Sequence, residues 1–261
     1  MPDAALLLAA YDDQVRRAEL TVPEPGLRLD PDGPVVRVTG GRRGLVTGRP
    51  DLGVTEPALD ALIRRQQDCF AARGEGFEWK TRGHDRPASL PERLLAAGFE
   101  AEPRETVMIA ALADVATSPP PPGGVVVREA RGRADLRRIA ALSAEVFGTD
   151  EEALAADLIA RPDAAVHVVA ESGGRLVSAA RLEFVPGTGF AGLWGGGTRP
   201  GWRGRGLYRA LVAHRARLAA GRGVRYLQVD AAEASRPILE RLGFTAVTTT
   251  TPYTWTPRAD R

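Results

Sequence analysis

The residues best suited to chemistry lie in one run, Gly195-Gly196-Gly197-Thr198-Arg199-Pro200-Gly201-Trp202-Arg203-Gly204-Arg205-Gly206-Leu207-Tyr208. It reads as the end of a strand, a glycine-rich turn and the start of a helix. Glycines let a ligand come close to the backbone. The first N–H groups of a helix have no partner inside it, and with the helix dipole they form an anion site. Arg203 and Arg205 add charged, forked donors that suit phosphate oxygens. No Gly-Lys-Ser/Thr follows, so the run is not a P-loop. It is not the dinucleotide fingerprint either, because its strand is the fourth in order and does not open a βαβ unit. An Arg-Gly-Arg-Gly string arises by chance in about one in twenty chains this rich in both residues, so its position must add to it. His167 and His214 have no second ligand at metal spacing, and no metal is expected. The single cysteine, Cys69, excludes an internal disulfide and a Cys-cluster metal site.

Such a loop needs elements to hold it, and residues 125–256 supply them. Val125–Glu129 reads as a strand and Asp135–Phe147 as an amphipathic helix stopped by Gly148. Thr149-Asp150-Glu151-Glu152 is a capping box for a second helix, which ends before Pro162. Ala164–Glu171 and Arg175–Val185 form a hairpin about Ser172-Gly173-Gly174. Phe190–Thr198 is the strand before the loop, and a helix runs from about Gly206 to Ala220. Val224–Val229 is a short buried strand. Ser235–Leu242 is a helix closed by Gly243, and Phe244–Thr256 is a Thr-rich strand region broken by Pro252. The order β α α β β β α β α β is an α/β layer arrangement.

The first half echoes the end of the second. Leu94-Leu95-Ala96-Ala97-Gly98-Phe99 resembles Leu239-Glu240-Arg241-Leu242-Gly243-Phe244, and each Gly-Phe closes a helix that follows a short strand, Phe77–Lys80 or Val224–Val229. Helices of similar size, Pro57–Arg73 and Leu207–Ala220, precede those strands. The pattern is a degenerate tandem repeat; two unrelated helices sharing a common C-cap would also produce it. Between the halves, Ser118-Pro119-Pro120-Pro121-Pro122-Gly123-Gly124 cannot enter a helix or central strand and reads as a linker. The expected domains are therefore 1–117, a linker 118–124, and 125–261.

Composition fits this reading. Hydrophobic residues are 44% and charged residues 26% of 261, which excludes a disordered chain. No apolar run approaches the roughly 18 residues of a membrane span, and the N-terminal apolar stretch lacks a basic flank, so a cytoplasmic protein is expected. The net charge of +2 hides an asymmetry: residues 1–118 carry −4 and residues 119–261 carry +6. Chance unevenness gives such a split, and so does one half that meets an anion. The basic excess is modest and not interleaved with aromatics, which disfavours nucleic acid.

Residues 125–256 resemble the GNAT acyl-CoA N-acyltransferase superfamily in element order and in the place of the loop. In that family Arg/Gln-x-x-Gly-x-Gly/Ala follows the fourth strand, and its amides hold the pyrophosphate of CoA. Arg203-Gly204-Arg205-Gly206-Leu207-Tyr208 fits, with Tyr208 in place of the final small residue. The resemblance implies a mixed, mostly antiparallel sheet flanked by helices, present twice, with the first copy degenerate. That copy's loop, Arg49-Pro50-Asp51-Leu52-Gly53-Val54-Thr55, lacks the phosphate motif. It also implies acetyl-CoA as acyl donor, bound by Gly196, Gly197, Thr198, Arg203, Gly204, Arg205, Gly206, Leu207, Tyr208 and Ser235. The acceptor would be an amine, either a small molecule or a peptide, and the protein a monomer or homodimer.

The family's usual proton-transfer pair departs. Leu239 stands where many members have a tyrosine, and Phe190–Thr198 carries no acid. Glu183, on the neighbouring strand, is the candidate base; otherwise it is a strand carboxylate paired with Arg181 or Arg175. Tyr253, on the last strand, is the candidate acid; otherwise it is a packed aromatic. Tyr208 touches either the ligand or the sheet. His84 and Asp85 line an acceptor pocket or cap a turn with local ion pairs. Two other functions compete: a non-catalytic acyl-CoA-binding module, and a protein that uses the arginine loop for ATP.

Overall fold

The structure, a computed structural model, describes residues 3–22, 26–41, 43–115 and 120–257. Ser118 and Pro119 of the expected linker lie outside the described residues. By compactness the chain forms two units, and neither is continuous in sequence. One holds Asp3–Val107, Asp230–Glu233 and the chain from Ala246 on, and is called the N-terminal unit. The other holds Met108–Val229 and Ala234–Thr245, and is called the C-terminal unit.

The N-terminal unit opens with α1 (Ala4–Ala10), a π-helical stretch (Tyr11–Arg16) and α2 (Arg17–Thr21). Strands β1 (Arg28–Asp32), β2 (Val35–Thr39) and β3 (Gly44–Gly48) form an antiparallel meander. α3 (Glu56–Ala71), β4 (Phe77–Arg82), α4 (Leu90–Ala96) and β5 (Glu100–Ala101) follow. β4 lies parallel to β3 over Gly44↔Phe77, Leu45↔Glu78 and Val46↔Trp79 only. The core gathers Leu59, Leu62 and Ile63 from α3 against Phe77 and Trp79, with Phe70 stacked on Phe77 at 4.4 Å between ring centroids.

β6 (Glu105–Ala111) starts in the N-terminal unit and enters the C-terminal one, where it flanks β11. In the C-terminal unit β7 (Val125–Glu129), α5 (Gly132–Phe147) and α6 (Glu151–Ala160) come first. α5 buries Leu136, Ile139 and Leu142 against the sheet. Asp150 caps α6 by accepting from Ala153 N–H at 2.9 Å. β8 (Val166–Ser172), β9 (Arg175–Phe184) and β10 (Phe190–Thr198) are antiparallel neighbours. α7 (Leu207–Ala220), β11 (Tyr226–Ala231), α8 (Arg236–Arg241) and β12 (Thr245–Trp255) complete the chain. β10 and β11 are parallel over Phe190↔Tyr226, Ala191↔Leu227 and Gly192↔Gln228. Each unit is thus a mixed, mostly antiparallel sheet with helices on it.

The repeat is visible in detail. Phe99 N–H reaches Leu94 C=O at 3.1 Å, and Phe244 N–H reaches Leu239 C=O at 3.0 Å. Gly98 and Gly243, at φ 86° and 94°, make both turns possible. One expectation needs correction: β12 is not broken at Pro252. Its register with β4 runs unbroken from Thr250 to Trp255, and Pro252 C=O accepts from Glu102 N–H at 2.9 Å. A proline has only this acceptor to satisfy, so it can remain in the strand.

Candidate functional site

β10 loses its register with β9 between Trp194 and Gly197, a bulge that the glycine run permits. Beyond it Ser178 Oγ donates to Gly197 C=O and lies 2.7 Å from Thr198 Oγ1, which fixes the strand's end. Parallel pairing with β11 has already stopped at Gly192, so the two strands part here. A cavity of about 520 Å³ lies at the end of β10, bounded by the loop and the first turns of α7 and α8.

The loop turns through a 3₁₀ segment, Pro200–Trp202, and then into α7, whose cap is Gly206 at φ 81°. That conformation disfavours any residue with a Cβ. The first intrahelical bond is Ala210 N–H to Gly206 C=O at 3.0 Å. The N–H groups of Gly206, Leu207, Tyr208 and Arg209 therefore have no partner within the helix. α7 is anchored from behind by Arg215, a buried side chain that donates to Leu211 C=O and to Arg181 C=O on β9. Burial pushes the Arg215 guanidinium down to about 10.

Gly196, Gly197, Thr198, Arg203, Gly204, Gly206, Leu207, Tyr208 and Ser235 all line this one cavity. Arg205 does not; its guanidinium lies 4.9 Å from the Trp202 ring centroid. Tyr208 sits against Gly196, where an added Cβ would come 3.0 Å from the ring, and its hydroxyl is hydrogen-bonded to Ser235. Burial pushes that phenol above its ordinary value. The sequence reading missed Val146, Phe147, Trp202, Arg209, Ile238 and Arg241, which complete the lining. A signal existed for two of them: Ser235, Ile238 and Arg241 are spaced three apart and so share one face of α8. Three arginines and no carboxylate line the cavity. It offers free amides, cations and an apolar side, which together fit an anion carrying an apolar chain.

Glu183 lies outside the cavity lining. It faces Gly192 across the β9–β10 ladder and pairs with Arg181 at 2.5 Å. By strand alternation it shares a face with Ala179, which stands opposite Gly197 about 13 Å away along the strand. Tyr253 belongs to the N-terminal unit, buried in the same core as Phe77 and Trp79, and burial raises its pKa. His167 is buried and held down to about 4 by burial first and Arg181 second. Among the described residues no cluster of His, Cys, Asp or Glu is arranged to hold a metal ion, and no helix is long and apolar enough to cross a membrane.

In the N-terminal unit the parting of β3 and β4 is filled. Arg82 donates to Thr47 Oγ1 at 3.1 Å and to Glu19 at 2.7 Å, and Arg16 donates to Gly48 C=O at 2.7 Å and to Asp85 at 2.5 Å. Arg86 N–H to Pro50 C=O and Leu52 N–H to Arg86 C=O then join the two tails through backbone. The attraction of Arg82 keeps the Glu19 carboxyl below its ordinary value even though burial opposes this. Cavities of about 500 and 470 Å³ flank the network, and each touches only one of the two strand tails.

Residues 133–244 match the model of the acetyltransferase (GNAT) family. That match supports an acyl-transfer role. The whole chain is similar in fold to a GCN5-related N-acetyltransferase from Kribbella flavida, with TM-score 0.72 and 20% identity over 99% of this chain and 97% of that one. A GCN5-related N-acetyltransferase from Sphaerobacter thermophilus gives 0.66 and 18% over 100% and 96%. A tandem GNAT protein from the clavulanic acid biosynthesis pathway gives 0.60 and 14% over 93% and 87%. No curated protein matches the sequence.

Proposed function

We propose that the protein is an N-acetyltransferase that moves an acyl group, acetyl in the first instance, from acyl-CoA to a primary amine. The observation that carries this is the cavity itself. It combines an unpaired strand edge at β10, free amides at the start of α7, and Arg203, Arg209 and Arg241 with no carboxylate. The amides and arginines suit the pyrophosphate, and the strand edge suits the peptide-like pantetheine arm. Only this unit would take the donor. Positioning would supply most of the rate. Glu183, outside the cavity and paired with Arg181, would serve the arriving ammonium as base only through a chain of water. Tyr253, the candidate acid of the sequence, is packed in the core of the N-terminal unit, so no role at this cavity is proposed for it. The reading implies a cytoplasmic protein that acts as monomer or homodimer.

Calorimetric titration with acetyl-CoA, with ATP as control, tests the donor on wild type and on R203A/R205A. Micromolar binding of acetyl-CoA alone, lost in the variant, is expected. No binding sinks the reading, and ATP binding that acetyl-CoA does not displace would favour a nucleotide site. A screen of amines read by thiol release, on wild type and E183Q, tests turnover. A second reading, acyl-CoA binding without catalysis, draws support from Leu239 at the usual tyrosine position and from the Arg181–Glu183 pair. It predicts binding with no thiol release for any amine.

A further inference from the structure

The N-terminal unit contains a second chemically organised cluster, outside the acyl-donor cavity. His84, in the turn after β4, has both ring nitrogens engaged. Nε2 lies 3.1 and 3.2 Å from the two carboxylate oxygens of Asp12, and Nδ1 lies 2.9 Å from Thr248 Oγ1. The three residues come from the π-helical stretch, the β4–α4 turn and β12, all within the one unit. An ionised carboxylate only accepts, so Nε2 carries a proton, and in the neutral ring Nδ1 presents its lone pair to Thr248. Thr248 must then donate its hydroxyl proton to Nδ1. This is the nucleophile, base and orienting acid of a hydrolase triad, with the two ring nitrogens exchanged.

Two details separate this cluster from a plain surface network. Asp85, next to His84, is occupied by Arg16 and by Arg82 N–H, so Asp12 alone orients the ring. Residue 83 is glycine, and a Cβ there would stand 3.6 Å from Thr248 Oγ1 and 2.5 Å from Thr249 Oγ1, so only glycine lets the turn that carries His84 lie this close to β12. His84 and Asp12 keep about a quarter of their surface exposed.

We propose that Thr248 is an acyl-accepting nucleophile, activated by His84 and Asp12, for small activated acyl esters or thioesters. Thr248 Oγ1 bonds to the acyl carbon as its proton passes to His84 Nδ1. The bond to the leaving alkoxide or thiolate breaks, and that group takes the proton from Nδ1. The products are acyl-Thr248 and an alcohol or thiol. Water, activated by the same Nδ1, returns the hydroxyl and releases the acid.

The test is p-nitrophenyl acetate added to the full chain, read by the p-nitrophenolate burst and by mass mapping of the acetyl group. Wild type should gain an acetyl on Thr248. T248V and H84Q should lose the burst by about a hundredfold or more, D12N should slow it, and T248S should keep it. Thermal midpoints of all variants show whether each still folds; should T248V not fold, H84Q against T248S decides. No acetylation of wild type, an acetyl mapped to Lys80 or elsewhere, or a burst that survives in H84Q would overturn the proposal. Because the probe lacks CoA, failure here leaves the acyl-CoA reading untouched.

Discussion

In the C-terminal unit β10 and β11 run parallel for three residue pairs and then part around a cavity of about 520 Å³. In the N-terminal unit β3 and β4 also run parallel for three pairs, but they part around the side chains of Arg16, Arg82, Glu19 and Asp85. The same strand geometry is thus a receptacle in one copy and a filled joint in the other. What differs is the chain after the first strand of each pair. After β10 come glycines and a helix with an uncovered start. After β3 come Arg49-Pro50-Asp51-Leu52, whose backbone bonds to Arg86. A splayed sheet leaves a space, and the local sequence decides whether ligand or protein fills it.

Removing the joint should have the largest effect. R82A leaves the half-buried Glu19 without its main partner and empties the space of a fully buried side chain, and should cost about 3 kcal/mol, read by urea denaturation. If R82A costs less than about 1 kcal/mol, the joint is not what holds the two tails. Acid acts on the other unit. The folded pKa of His167, about 4, lies below its ordinary 6.5, so between these values the unfolded chain binds the extra proton. Stability should therefore fall by about 3 kcal/mol as pH drops through that window. H167Q should flatten that part of the profile, and an unchanged slope would show that carboxylates carry it. Next comes the receptacle: R203A and R241A should each weaken acetyl-CoA binding by about 1.5–3 kcal/mol without altering urea stability. Wild type should bind a single equivalent per chain, and a second equivalent would break the comparison by giving the N-terminal copy a working cleft. The smallest effect belongs to R43A. Its pairs with Glu78 and Glu102 are exposed, and its loss should cost no more than about 1 kcal/mol, against several for the buried Arg82.

Several parts of this were legible in the sequence because they depend on neighbours along the chain. The strands Val125–Glu129 and Phe190–Thr198 have the bounds that their β-branched and apolar runs suggest. The Gly-Phe caps were readable because a left-handed glycine and the buried aromatic after it are one local motif. Gly196, Gly197, Thr198, Arg203, Gly204, Gly206, Leu207 and Tyr208 meet in one cavity because they are close together in the chain. Arg205, expected with them, lies over the Trp202 ring instead, a contact between side chains that no spacing rule reveals.

Neighbours along the chain set the α/β order of elements, the repeated helix–Gly-Phe segment, and a helix start with unpartnered N–H groups after β10. Each is set by interactions within a few residues. Long-range packing set the rest. Arg82 finds Glu19 across 63 positions and His84 finds Thr248 across 164. The last strand, β12, lies against β4 in the N-terminal unit, although its chain neighbours belong to the C-terminal one. Such pairings depend on which surfaces the folded sheets present. Closing loops of that length costs entropy that grows only slowly with length, so the sequence separation hardly constrains them.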